Sequence, residues 1–162
     1  MDIILDLQNY NNTTSVYKRT ASRAIITDGK RYLLIYSKYG DYKFPGGGRE
    51  EGESLEDTVI REVMEETGYR VIRDSIKKYI EVLERRKGER EDLLEMDSHY
   101  YFCEVGTEIS NRNLDLYEQE YDYKVVWMSL QEAIARNKQM TDREACPWVS
   151  RDTMVMEHLL NR

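Results

Sequence analysis

The chain has only two cysteines and two histidines in 162 residues. Cys103 and Cys146 cannot build a disulfide framework and lack the spacing of paired metal ligands. They read as small apolar side chains in a reducing cytoplasm, which is the expected location. His99 and His158 are too few for a histidine-rich metal centre. No apolar run approaches the roughly 18 residues of a membrane-spanning helix. The opening stretch MDIILDLQNY is acidic and its apolar run is short, so no secretory signal is expected there. Positive charge is in deficit: 24 Lys and Arg stand against 31 Asp and Glu, a net charge of -7. That balance disfavours a dedicated nucleic-acid binder and a basic membrane-surface module. Internal repeats and low-complexity linkers are also missing.

What is there points to one folded domain. The chain is 40% hydrophobic with 13 tyrosines, and its apolar runs are well spaced. Residues 20–28 predict a strand, Asp28-Gly29 a hairpin turn, and Tyr32 to Tyr36 the returning strand. Residues 37–52, rich in glycine, read as loop. Residues 54–67 predict a helix with Ser54 as its N-cap and Gly68 just past its last turn. Strands follow at about 76–84 and 98–105, with a charged stretch at 85–95 between them. Residues 106–122 read as polar loop, and Lys124 to Met128 as a short strand. Ser129 and Glu132 form a capping-box pattern that opens a helix to about Arg136, and 148–160 predict a last amphipathic helix. Strands mixed with helices in this order imply an α/β sandwich with a mixed sheet.

The chemistry concentrates in residues 47–69, GGREEGESLEDTVIREVMEETGY. Wound as a helix, this segment brings Glu62, Glu65 and Glu66 within an arc of about 100°. Val59, Ile60, Val63 and Met64 cover the adjacent arc and are expected to face the core. Like charges one turn apart repel, so a helix that keeps them calls for a compensating cation. Oxygen ligands with no soft donor favour a hard ion, Mg²⁺ or its substitute Mn²⁺. Carbonyls of the preceding Phe44-Pro45-Gly46-Gly47-Gly48 loop could add a ligand. On pattern alone a Glu-rich helix is more often a solvated face, and clustered glycines are more often a turn.

The same segment resembles the signature of the Nudix hydrolases: G, five residues, E, seven residues, then R-E-aliphatic-x-E-E-x-G-aliphatic. Gly47, Glu53, Arg61, Glu62, Val63, Glu65, Glu66 and Gly68 fall on its fixed positions. Only Tyr69 departs, standing where an aliphatic residue is usual. The flanking order of elements is similar over roughly residues 18–136.

The resemblance implies a Nudix-like α/β/α sandwich with a mixed β-sheet. Residues 1–162 would form a single domain, with 1–17 as an N-terminal strand or loose arm and 137–162 carrying the C-terminal helix. It implies Mg-dependent hydrolysis of a diphosphate linkage in a nucleoside tri- or diphosphate derivative, by attack of water on phosphorus. The alternative is a non-catalytic module that senses a nucleotide or sugar-nucleotide. Glu62 and Glu66 are the leading metal ligands, with Glu65 a third or a water-held one and the Gly47 carbonyl a backbone ligand. Arg61 is expected to orient Glu53 or the loop, against the plainer reading of a surface pair with Asp57 or Glu65. The general base stays open among a box glutamate, Glu53, and Glu118 or Glu120 of the later loop. Arg19, Arg23 and Lys43 are candidates for contact with substrate phosphates. The expected partner is a small phosphorylated nucleotide-type substrate, with no nucleic acid and no membrane; a homodimer is compatible with the sequence. The subgroup marks for ADP-ribose, dinucleoside polyphosphate and coenzyme A substrates are missing, so the substrate stays open.

Overall fold

The computed structural model describes residues 2–162. Its elements run β1 (Ile3–Asp6), β2 (Val16–Ile25), β3 (Tyr32–Tyr36), β4 (Tyr42–Lys43), β5 (Gly46–Gly48), α1 (Leu55–Thr67) and β6 (Tyr69–Val71). A 3-10 turn (Arg73–Ser75) precedes β7 (Lys77–Arg86), β8 (Leu93–Phe102) and β9 (Val105–Ile109). Then come α2 (Leu116–Glu120), β10 (Lys124–Met128), α3 (Leu130–Lys138) and α4 (Val149–Leu160).

The main sheet is mixed, in the order β1-β7-β8-β2-β5. β1 runs parallel to β7 and β2 parallel to β8, while β7/β8 and β2/β5 are antiparallel. A second, antiparallel sheet has the order β10-β3-β4. Along β2, alternate residues face opposite layers. Ala24, and Ile26 just past the strand's end, pack with Val59 and Val63 of α1. Ile25 packs with Leu34, Phe44, Tyr100 and the α3/α4 residues Leu130, Val155 and Met156. Helices therefore cover both faces, which is the α/β/α sandwich expected.

The structure refines several elements. β7 and β8 extend through the charged stretch to Arg86 and from Leu93, leaving only a short connection between them. Alternation explains this: Val82 and Glu84 are buried on one strand, Leu94 and Met96 on the other, while the charged neighbours point outward. The glycine-rich loop contains β4 and β5, and 106–122 contains β9 and α2. β1 is paired rather than loose. Ser129 caps α3 by accepting from Glu132 N at 3.3 Å, half of the expected reciprocal box. On α1, Val59 and Val63 are fully buried but Ile60 and Met64 only partly, because the buried face turns toward Glu62 and Glu66.

Candidate active site

Helix α1 is fixed at both ends by its own sequence. Ser54 accepts from Asp57 N and Asp57 returns a bond to Ser54 N, closing a capping box. Gly68 ends the helix in the left-handed region at φ 78°, where a Cβ would also meet the Ser110 carbonyl at 2.0 Å. Tyr69 fills its aliphatic position by packing edge-on against Trp127, with ring centroids 6.2 Å apart. These anchors set the face that α1 presents to β5.

That face carries Glu62 and Glu66, both buried. Glu118, from α2, joins them: a carboxylate oxygen of each lies within 4.8 Å of the others. Glu66 Oε1 accepts from Gly46 N at 3.4 Å, and Oε2 is buried with no partner among the described residues. Burial raises the Glu66 carboxyl well above the ordinary range; Lys43 opposes this, while Glu62 and Glu118 add to it. Glu118 is pushed up to about 7, again chiefly by burial, against a bond from Asp115 N to its Oε1 at 3.0 Å. Three converging carboxylates, one with an orphaned oxygen, cost folding energy unless something positive lies among them. An all-oxygen donor set suits a hard divalent cation, so the residues fit the metal that the sequence anticipates.

Gly47 sits against this group. A Cβ there would lie 2.5 Å from the Glu62 carboxylate, so only glycine lets β5 pass without displacing that carboxylate.

Arg61 ties the parts together. Its Nε donates to Glu53 Oε1 at 2.5 Å and its Nη2 to Glu53 Oε2 and the Gly48 carbonyl, each at 3.0 Å. Its Nη1 donates to Glu62 Oε1 at 2.9 Å and Glu65 Oε2 at 3.2 Å. The two-pronged bond from Arg61 holds the Glu53 carboxyl down at about 2. Asp57, the other partner a surface reading allowed, pairs with Arg73 instead.

Glu65 stays outside the three-carboxylate group and borders an adjoining 720 Å³ cleft with Arg61 and Glu62. Burial and the Glu62 charge raise its carboxyl. Glu120 is exposed on α2 and does not join the group. Arg23 and Lys43 are buried in the wall of a second cavity, of about 350 Å³, which reaches Gly46 and Gly47. Arg19 is half-buried, its guanidinium against Gly48, and borders both spaces.

The cavity also has residues that the sequence reading did not single out. Tyr117, Tyr121 and Tyr123 line it from the α2 region, Trp148 and Arg151 from the start of α4, and Arg86 from the end of β7. Tyr121 stacks on Trp148 at 5.9 Å. No spacing links positions 86, 117–123 and 148–151, so no local signal could have grouped them.

With this geometry in place, comparison with known proteins is informative. The family model for the NUDIX domain matches residues 17–149. A 60-residue segment is 42% identical to an uncharacterized Nudix hydrolase of Bacillus subtilis strain 168, YvcI. That match covers 37% of this chain and 38% of the relative, so the chain spans about two fifths of the curated protein it matches. A NUDIX hydrolase from Nitrosomonas europaea has a similar fold, with a TM-score of 0.61, 21% identity, and coverage of 90% of this chain and 92% of that one. A MutT NUDIX hydrolase from Burkholderia pseudomallei gives a TM-score of 0.56 at 22% identity, covering 71% of this chain and 85% of that one. No helix among the described residues is long and apolar enough to cross a membrane.

Proposed function

This chain belongs to the Nudix family, and on that premise we propose that it is a Mg²⁺-dependent hydrolase of a diphosphate linkage in a small nucleotide-type molecule. Residues 1–162 act as one such domain, β1 extending its sheet and α4 closing its helical face. The observation that carries the reading is the buried group Glu62, Glu66 and Glu118 with its orphaned oxygen. A module that only senses its ligand has no need of three mutually repelling buried carboxylates.

Glu62, Glu66 and Glu118 would hold the cation, with the Gly47 carbonyl as a backbone ligand and Glu65 reaching it directly or through water. The ion supplies Lewis acidity toward the phosphate oxygens and lowers the pKa of water. Mn²⁺ fits the same oxygen donors. Arg61 acts as a positioning residue: one planar guanidinium fixes Glu53, the β5 carbonyl at Gly48 and the Glu62 carboxylate relative to each other. Glu53 is a poor general base, because Arg61 holds its carboxyl down at about 2, too weakly basic, and fixes it in place. Glu65, of raised basicity and outside the three-carboxylate group, is the better candidate to accept the proton of the attacking water, with Glu118 the alternative if the ion leaves it free. Arg19, Arg23 and Lys43 line the route by which phosphates would approach.

The test is a panel of nucleoside triphosphates, nucleotide sugars, ADP-ribose and dinucleotides, assayed with Mg²⁺ for released phosphate or monophosphate. Turnover of at least one member is expected, falling by about 10²-fold or more in Glu66→Gln. Between Glu65→Gln and Glu118→Gln, the base is the one whose loss removes the acidic limb of the pH–rate profile. Tight binding of a panel member without turnover under Mg²⁺ or Mn²⁺ would establish the sensing module instead.

A further inference from the structure

β4 is the outer strand of the three-stranded sheet, with β3 on one side and no strand among the described residues on the other. Tyr42 and Lys43 are nevertheless buried, so the backbone groups of this open edge need partners from elsewhere. Side chains around α3 and α4 supply them. Asn137, fully buried on α3, accepts from Tyr42 N at 2.8 Å and donates from Nδ2 to the Tyr42 carbonyl at 2.9 Å. Two residues on, along the same edge, Phe44 N donates to Asp152 Oδ2 of α4 at 3.3 Å. One residue before Tyr42, the buried Asp41 accepts from the Trp148 indole at 2.6 Å. An amide and a carboxylate thus make the bonds that a neighbouring strand would make.

Both are themselves held. Asn137 Nδ2 also donates to the Thr153 hydroxyl at 3.1 Å, and that hydroxyl donates to the Val149 carbonyl at 2.6 Å. Asp152 pairs with Arg151 at 3.2 Å and accepts from the Tyr100 hydroxyl at 2.5 Å. Asp152 and Thr153 lie beyond residue 149, where the match to the family model ends.

This pinned edge leads directly into the carboxylate group. Lys43 stands between the two fastened residues, and its charge acts on Glu66. The chain then crosses to the other layer within three residues. The Pro45 carbonyl accepts from Ala24 N at 2.9 Å, Gly46 N donates to Glu66 Oε1 at 3.4 Å, and Gly47 pairs with Ser22 of β2, close against Glu62. Residues 41–44 are therefore fastened to the α3/α4 side, and 45–47 to β2 and α1. The link between them is a proline with fixed φ, so a shift at Phe44 reaches Gly46 with little slack.

We propose that Asn137 and Asp152 are positioning residues for the cation site: standing in for a β-strand along β4, they fix where Lys43 and the Gly47 carbonyl meet Glu66 and Glu62. This rests on the hydrolase reading above, in which those carboxylates hold Mg²⁺, and adds the α3/α4 pair to the machinery of that site.

The test is Mg²⁺ titration calorimetry on the full chain, well below its melting temperature. Asn137→Leu keeps the volume and removes both bonds to Tyr42. It should weaken Mg²⁺ binding by about tenfold, the usual scale for a residue one step behind a metal's ligands. Thr153→Val, which deprives the Asn137 amide of its second partner, should weaken binding several-fold, and Thr153→Ser should restore the parent affinity. The threonine pair decides if Asn137→Leu does not fold. The control is Leu159→Ala, about two turns beyond Asp152 on α4 and in the same core. It should lower the melting temperature through its cavity and leave Mg²⁺ affinity unchanged. Parent-like Mg²⁺ affinity in both Asn137→Leu and Thr153→Val, or an equal loss in Leu159→Ala, overturns the proposal and leaves the cation site standing. A parent chain that binds no Mg²⁺ overturns the metal-dependent reading, and the positioning role falls with it.

Discussion

At Gly46 and Gly47, one added methyl group would strike two different things. On Gly46, at φ 149°, a Cβ would lie 2.2 Å from the backbone carbonyl of Ser22, which cannot move without breaking the β2/β5 pairing. On Gly47 it would meet the end of the Glu62 side chain, which can swing aside. Gly46→Ala should therefore lower the melting temperature by several degrees, the effect of roughly 1–3 kcal/mol of strain and overpacking. Gly47→Ala should leave the melting temperature of the metal-free protein nearly unchanged and weaken Mg²⁺ binding by about tenfold or more. Titration calorimetry alongside thermal melts separates the two. Equal Mg²⁺ affinity in Gly47→Ala and the parent would remove Glu62 from the proposed ligand set.

The elements differ in how far they stand on their own. α1 has 13 residues, a capping box and a left-handed glycine stop, so its ends are locally determined. α2 has only five residues and could not persist in isolation. Its hold comes from Asp115, which caps it, from the bond of Asn113 N to the Glu65 carbonyl at 2.7 Å, and from Arg112, which donates to the Tyr123 carbonyl at 2.5 Å. The one element that delivers Glu118 is thus the least self-sufficient. Asp115→Ala should weaken Mg²⁺ binding and turnover several-fold while costing at most about 1 kcal/mol in global stability, the typical worth of a cap. Urea unfolding measured beside Mg²⁺ titration reads both. A loss of stability with no change in Mg²⁺ affinity would show that α2 does not position Glu118 for the metal.

For the whole molecule, the carboxylates make stability depend on pH in two opposed senses. Glu118, near 7, and Glu66, also raised, bind protons more tightly folded than unfolded. Their contribution is complete below the ordinary carboxylate range and is lost as pH rises through the folded values. Glu53, held near 2 by Arg61, works the other way: its contribution is present above the ordinary range and is lost as pH falls toward 2. In EDTA the melting temperature should therefore rise as pH is lowered from about 8 to about 5, and fall again below about 4. With saturating Mg²⁺ the loss on the alkaline side should vanish, because the ion replaces the protons there. Glu62→Gln/Glu66→Gln should melt higher than the parent in EDTA and show no Mg²⁺ response. A parent melting curve that ignores Mg²⁺ at every pH would remove the cation from the site. The overall acidity has the same origin. Between Arg49 and Glu66 there are eight acidic and two basic residues, a balance of -6 within a chain of -7.

The sequence by itself determined what depends on near neighbours. Ser54 and Gly68 set the limits of α1, and the spacing of Glu62 and Glu66 put both on one face, since helix periodicity is a local property. The Nudix signature lies within 23 consecutive residues, so its pairing of Arg61 with Glu53 could be expected in advance. The tertiary structure decided everything that joins distant segments. It chose Glu118 over Glu120 to complete the carboxylate group, because only the buried side of α2 faces α1. It took both ends of the charged run at 85–95 into strand, β7 reaching Arg86 and β8 starting at Leu93, since the alternating buried residues needed β-pairing partners, for β8 far along the chain on β2. It also gathered Arg23, Lys43, Tyr123 and Trp148 around one cavity. Which charges meet there, Asp152 among them, is a matter of three-dimensional distance, and no reading along the chain contains it.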